Sequence, residues 1–346
     1  MKKFIIPSKD TTIYEVFKTN NAGLDEILEI GKTVDLTLLE PSYSASSART
    51  LLYFDLPTTA SVSSGSNYFL NLRLANATDV KRYQTILVYP ISRSWDEGSG
   101  RFYQDIKNSN DGATWNQATT SVSWSNAGGS FITSSTSASI TLSTYPLEDL
   151  RIDVTNILRP IVSQSLQNTF YGLLLKFPTQ DELDINNEGN IKIFSAQTHT
   201  IHQPTLEVSW DNQQFNITNA QITQIPSLNV KVTPNNLKET YTRGDVVKII
   251  LNVRDEYPVK TYDSTPRYKS KYYLPSSSYF SITDVQSNTT VVDFDNYSKI
   301  SSDATGSYFV LDTSPLYPGR FYTVKLKVDL GEYTKVINTD TLFKVL

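Results

Sequence analysis

The stretch SRSWDEGSGRFYQDIKNSNDGATW, Ser92 to Trp115, sets two tryptophans, an adjacent Asp96-Glu97 pair and three glycines in one loop-like segment. Carboxylates beside aromatic rings are what cleaving or binding a sugar requires. Glycosidases hold two carboxyls about 5 to 9.5 Å apart across the substrate, whereas neighbours on an extended chain point to opposite faces. Catalysis by this pair is therefore not expected. The better expectation is that Trp95 packs inward, Asp96 and Glu97 accept hydrogen bonds from loop amides, and Gly98 and Gly100 supply positive φ. Trp95, Trp115 and Trp124, with Asp96 or Asp111 beside them, are also the candidates for a platform on which a sugar ring could stack. The alternative, which the energetics of buried aromatics favours, makes them plugs at the end of a β-sandwich, with their indole N–H groups on loop carbonyls.

A second oxygen-rich stretch is PTQDELDINNEGN, Pro178 to Asn190, where Asp181, Glu182, Asp184 and Glu188 could ligate a hard ion. Its spacing is not that of a helix–loop–helix calcium site, and calcium takes six or more oxygens. A solvated loop is expected, with Asp181, Asp184 and Glu188 as the calcium candidates. His199 and His202 lack the third nitrogen or the thiolates that zinc needs. The tripeptide within Thr242-Arg243-Gly244-Asp245 leads straight into the strand-like VVKIIL and is expected to be a turn. Gly31-Lys32-Thr33 has no upstream glycine frame for a phosphate loop, and no serine sits in a nucleophile elbow. No catalytic residue, cofactor or enzyme activity is expected.

The elements that must position these groups are strands. Runs such as TIYEVF, RTLLYFDL, NYFLNLRLA, QTILVYPI, YGLLLKF, NIKIFS and PTLEVSW are bounded by turn residues. In NYFLNLRLA, Tyr68, Leu70, Leu72 and Leu74 alternate with Asn71 and Arg73, the period of a half-buried strand. One helix is expected in LEDLRIDVTNILRPIVSQSL, capped by Asp153 or Thr155 and running through Ile157 and Ile161. Many short strands of this kind predict an all-β sandwich protein.

The texture changes near residue 212. Residues 1–212 carry 16 basic and 22 acidic side chains, a net of −6, and residues 213–346 carry 15 and 13, a net of +2, which together give the whole-chain −4. This predicts a first domain over 1–212, a linker over 213–238 and a second sandwich, immunoglobulin-like in size and strand number, over 239–346. The acidic balance leaves no basic field to hold phosphates, so no nucleic-acid partner is expected. No apolar run reaches the roughly 20 residues of a membrane span, and MKKFIIPSKD is too short in apolar residues for a signal peptide. With no cysteine, disulfides and thiolate zinc sites are excluded. Synthesis and assembly in a cytoplasm are expected.

The ordered landmarks of residues 1–212 resemble the DNRLRE-type jelly-roll domain, related to carbohydrate-binding module family 96. They are KDTTIYE, NAGLDEILEIGK, ARTLLYFDLP, ILVYPISRSWDEGSG, GATWNQA, VSWSNAGGSF, RIDVTNIL, YGLLLKF and PTLEVSWD. Residues 239–346, with YYLPSSSYFSITDV and SYFVLDTSPLYPGRFYTVKLKV, look like a β-sandwich appendix of tailed-bacteriophage virion proteins. The pairing implies an N-terminal jelly-roll sandwich plus a C-terminal immunoglobulin-like β-sandwich. It also implies a non-enzymatic virion component, assembled in the host cytoplasm as a ring, collar or tail part. Its partners would be portal, neck or tail proteins and copies of itself, with the extended terminal segments MKKFIIPSKD and TLFKVL adding strands to neighbours. The alternative is a carbohydrate-binding decoration or fibre protein that contacts host glycans.

Overall fold

A computed structural model describes residues 1–35, 44–58, 65–101, 111–134, 136–143, 148–217, 222–226, 229–257 and 272–346. The chain forms two compact units, Ile5–Val208 and Met1–Phe4 with Ser209–Leu346. Both are built of β-sheets, and the α-helices among the described residues are the short Thr155–Ser163 and Thr179–Leu183. The protein is an all-β sandwich protein, as the strand periodicity predicts.

The larger sheet of the first unit, jelly-roll-like in its all-β character, runs in the order Ala138–Thr141, Thr85–Pro90, Leu173–Lys176, Ser44–Tyr53, Ile27–Asp35, Gly189–Phe194, Leu74–Thr78. Lys9–Tyr14 pairs antiparallel with Ser44–Tyr53, Asp10 opposite Leu52 and Tyr14 opposite Ala48. Leu173–Lys176 is buried at every position, which is why LLLK shows no alternation: both its faces are covered.

NYFLNLRLA is not one strand but two. Asn67–Leu72 pairs with Leu150–Asp153 in a second sheet that also contains Thr205–Ser209, whereas Leu74–Thr78 pairs with Gly189–Phe194 in the larger sheet. Tyr68, Leu70 and Leu72 are buried in the core, and the chain changes sheet at Arg73. Asp149 secures the crossing, accepting the Leu74 N–H at 2.9 Å and the Arg73 guanidinium.

The expected helix is Thr155–Ser163. Its N-cap is Val154, with no side-chain cap bond; Asp153 instead accepts the Thr155 N–H at 2.9 Å. Pro160 lies within the helix and has no N–H to offer the carbonyl four residues earlier. The Thr136 hydroxyl donates to that carbonyl, Asn156 O, at 3.0 Å.

The second unit sets a four-stranded sheet, Val230–Pro234, Val246–Asp255, Gly306–Asp312 and Ser301–Asp303, beside a five-stranded one, Thr240–Tyr241, Thr334–Val345, Phe321–Asp329, Tyr279–Asp284 and Thr290–Val292. Ile249, Leu251 and Phe309 from the first meet Phe280, Val324, Leu326 and Phe343 from the second in one core, where Phe280 and Phe309 stack at 4.6 Å. Tyr322 opens its strand with the hydroxyl turned back five residues, accepting the Tyr317 N–H at 2.7 Å and donating to Tyr317 O at 3.2 Å. This is the geometry of a tyrosine corner. Val230–Pro234, inside the stretch read as a linker, is an outer strand of the four-stranded sheet. The terminal segments read as free are in use: the Lys2 ammonium is 2.6 Å from Asp295, and TLFKVL continues Thr334–Val345, which pairs with Phe321–Asp329.

Candidate functional site

The three candidate tryptophans lie in the first unit's core, with Trp95 3%, Trp115 5% and Trp124 6% exposed. They pack with Ile13, Leu51, Ile91 and Leu174. The Trp95 indole N–H donates to Tyr171 O at 2.8 Å and that of Trp124 to Thr114 O at 2.8 Å, while the Arg49 guanidinium lies over the Trp115 ring at 4.8 Å. The stacking platform is therefore corrected: these indoles have no face left for a sugar, because burying rings of this size outweighs displaying them.

Around them the loop is closed by Asn21, which the sequence reading did not single out. Its side-chain amide donates to Glu97 O and Ala113 O, both at 2.7 Å, and its Oδ1 accepts the N–H groups of Gly23 at 3.0 Å and Gly100 at 2.9 Å. One buried side chain thus satisfies four backbone groups drawn from three separate stretches. The backbones approach so closely that a Cβ on Gly98 would sit 2.2 Å from Asp111 O, and one on Gly100 2.2 Å from Asn21 O. Gly98 does adopt the expected positive φ, 82°; Gly100 is needed for close approach instead.

Asp96 and Glu97 point apart. Asp96 is exposed, with Oδ1 3.7 Å from the Lys9 ammonium, and among the described residues it accepts no loop amide, contrary to expectation. Glu97 turns toward the N-terminal strand, its Oε1 accepting the Asp10 N–H at 2.9 Å and the Gln197 side-chain amide at 2.8 Å. Asp10 is fully buried, and its Oδ2 accepts the Ala196 N–H at 2.6 Å. Burial pushes the Asp10 carboxyl up to about 8; the Ala196 N–H opposes the rise and the Glu97 charge adds to it.

The calcium candidates are served by lysines. Asp181 accepts Lys81 at 2.7 Å and the Gln84 amide at 3.0 Å, and the Lys32 ammonium donates to the carbonyls of Asp181 and Asp184. Asp184 Oδ1 is spent on the N–H of Asn186 at 3.0 Å, and Glu188 is half-buried. Glu182 takes Arg49 through both oxygens, at 2.9 and 2.8 Å, and Lys176 at 2.6 Å. Burial lowers the Lys176 pKa, and the Arg49 charge adds to that effect against the Glu182 carboxylate. Among the described residues no group of three or more acidic, histidine or cysteine side chains could hold a metal. His199 is exposed, 3.4 Å from Glu26, and His202 lies against Phe194 at 5.4 Å. The Thr242–Asp245 segment is a turn, with Asp245 accepting the Thr242 N–H at 2.8 Å and Arg243 held on Ser314 O at 3.2 Å.

One concave surface adjoins the tryptophan core: a cleft of about 390 Å³ lined by Lys9, Tyr53, Ser94, Trp95, Gln167, Phe170 and Tyr171. Tyr53 and Phe170 stack at 5.9 Å. The half-exposed rings of Tyr53 and Tyr171, with Lys9 and the side-chain amides of Gln167 and Asn168, suit a small polar ligand with an apolar face.

No protein-family model matches the chain, and no curated protein does. Solved structures to which it is similar include a DUF4785 family protein from Legionella pneumophila, at 8% identity and a TM-score of 0.20, covering 100% of this chain and 62% of that one. Another is β-glucuronidase 3 of Bacteroides uniformis, at 9% identity and a TM-score of 0.19, covering 98% and 35%. The chain thus spans less than two thirds of the first and about a third of the second. At these scores the likenesses bear on neither its fold nor its activity.

Proposed function

We propose that the chain is a non-enzymatic structural protein of a tailed-phage virion, a multi-copy ring, collar or tail component that binds portal, neck or tail proteins and copies of itself. The observation that carries this reading is the fate of the Ser92–Trp115 stretch. Its tryptophans, Glu97 and glycines are consumed in closing a sandwich, which makes the ordered landmarks of the DNRLRE-type resemblance a set of structural requirements. The second unit adds apolar side chains for protein contact, with Val246 and Ile250 exposed on one sheet and Phe321, Val336 and Leu342 on the other. Aromatic and aliphatic anchors are what interface centres are made of. The test is mass spectrometry and antibody labelling of purified particles. The protein should be present in multiple copies at the neck or tail, and its absence from particles would end this reading.

A second reading, a glycan-binding decoration or fibre protein, is favoured by the cleft beside Tyr53 and Tyr171. Tyr171→Ala should then abolish retention on host-surface glycans with the fold intact; no retention by the wild-type protein tells against it.

A further inference from the structure

The long strand Thr334–Val345 of the second unit has one edge in use and one largely free. On one side it pairs antiparallel with Phe321–Asp329, Thr334 opposite Asp329, Val336 opposite Lys327 and Asn338 opposite Lys325. On the other side, among the described residues, lies Thr240–Tyr241, which reaches Lys344 and Val345 and no further. The hairpin fixes which groups face the free edge. Leu330 N–H donates to Tyr333 O at 2.9 Å, and in an antiparallel ladder bonded and non-bonded pairs alternate. Lys335 and Ile337 therefore turn their N–H and C=O groups toward Val328 and Leu326, while Thr334, Val336 and Asn338 turn theirs outward. Among the described residues no backbone group meets these three, and all are exposed, Val336 by 56%. Such a row of unpaired groups is a template for a further strand.

The solvent face beside this edge is cationic. Phe280, Ile282, Val324 and Leu326 point into the core, so the alternate residues point out: Tyr279, Ser281 and Thr283 beside Lys327, Lys325 and Thr323. Among the described residues Lys325 and Lys327 form no ion pair; the Lys327 ammonium lies 5.6 Å from the centre of the Tyr279 ring. The carboxylate on this face, Asp329 at the hairpin end, is already engaged, accepting the Gly331 N–H at 2.8 Å. A strand added at the edge would lie about 10 Å from Phe321–Asp329, two spacings of about 4.8 Å, which a lysine and a glutamate side chain span between them. On its other face the added strand would meet Ile337, which packs on the core, and Lys335, whose ammonium is 3.2 Å from Glu256. A second copy of this edge is a poor occupant. Self-pairing puts the lysines of both copies on one face with no carboxylate to meet them, and lysine beside an open edge is a device against such pairing.

We propose that the Thr334–Asn338 edge is a docking site for an extended acidic segment of another protein, added as a strand with carboxylates on the lysine face and apolar side chains on the core face. Thr334, Val336 and Asn338 hold it through the backbone, and Lys325 and Lys327 select it by charge. Such an edge takes a partner within a particle or outside one, so its test needs no virion.

The probe is a labelled peptide of about six residues, a usual strand length, alternating glutamate with valine and titrated into the full chain with fluorescence anisotropy as the readout. It should bind at low salt, weaken at least about tenfold when salt is raised to about 0.5 M, and protect the Thr334, Val336 and Asn338 amides from hydrogen exchange. A lysine–valine peptide should not bind. Lys325→Glu combined with Lys327→Glu should reverse the two preferences. Val336→Pro removes an outward N–H that the hairpin ladder does not use and should abolish binding. Failure of the wild-type chain to bind the glutamate–valine peptide overturns the proposal, as does equal binding of both peptides or binding that leaves the three edge amides unprotected. The wild-type measurements decide even where a variant fails to fold.

Discussion

Asp96 and Glu97, neighbours in the chain, send their carboxylates to different partners: one lies 3.7 Å from the Lys9 ammonium in solvent, the other 2.9 Å from the Asp10 N–H. Two acids so divided cannot flank one glycosidic bond. They should also differ in their value to the fold. Asp96→Ala removes an exposed ion pair and should change stability by less than about 0.5 kcal/mol. Glu97→Ala strips the acceptor from the Asp10 N–H and the Gln197 amide and should cost about 1–3 kcal/mol. Urea unfolding of the two variants side by side measures the difference, and equal costs would refute the division.

Asn21→Ala removes four hydrogen bonds at once and leaves the N–H groups of Gly23 and Gly100 and the carbonyls of Glu97 and Ala113 unpaired. A loss of about 3 kcal/mol or more is expected, a large effect for an asparagine outside any active site. Hydrogen exchange should show the Gly23 and Gly100 amides losing protection first.

Among the described residues Glu182 is the carboxylate that pairs with both the half-buried Arg49 and the buried Lys176. Glu182→Ala leaves both uncompensated and should cost about 3–5 kcal/mol. Pairing Glu182→Leu with Lys176→Met should recover part of that loss, as measured by a double-mutant cycle in chemical denaturation.

Asp10 makes stability depend on pH. Its folded-state value of about 8 stands above the ordinary 3.8, so the folded protein holds a proton that the unfolded chain has released. The resulting stabilisation is complete below about 4 and is lost as pH rises toward about 8. The neighbouring Glu97 charge acts in the same sense, and Lys9 is engaged elsewhere. The unfolding midpoint should fall between about pH 5 and pH 8, and Asp10→Asn should flatten that decline. An unchanged slope in the variant would assign the effect to other groups.

The strands were legible because alternation survives wherever one face is wet: QTILVYPI and NIKIFS run as Thr85–Pro90 and Gly189–Phe194. The burial of Trp95, Trp115 and Trp124 also follows from ring size. The change of sheet at Arg73 does not, since Leu74 keeps the alternation of NYFLNLRLA while moving to another sheet. Nor do Asn21, Asp10 and the Arg49–Glu182 pair, whose partners, Gly23 apart, lie 76 to 186 residues away; no local spacing marks such contacts. The one hint for Asp10 was its place at the head of the run Asp10–Tyr14, buried at every position, where a carboxylate needs a reason.

Asn21 grips the chain at Glu97 and Gly100 on one side and at Ala113 on the other. Both points are therefore pinned by one side chain, whatever the number of residues between them. Lengthening a loop between anchored ends costs only about 0.6 kcal/mol per doubling. Residues inserted between these two pinned points would leave the four contacts of Asn21, and the tryptophan core behind them, in place.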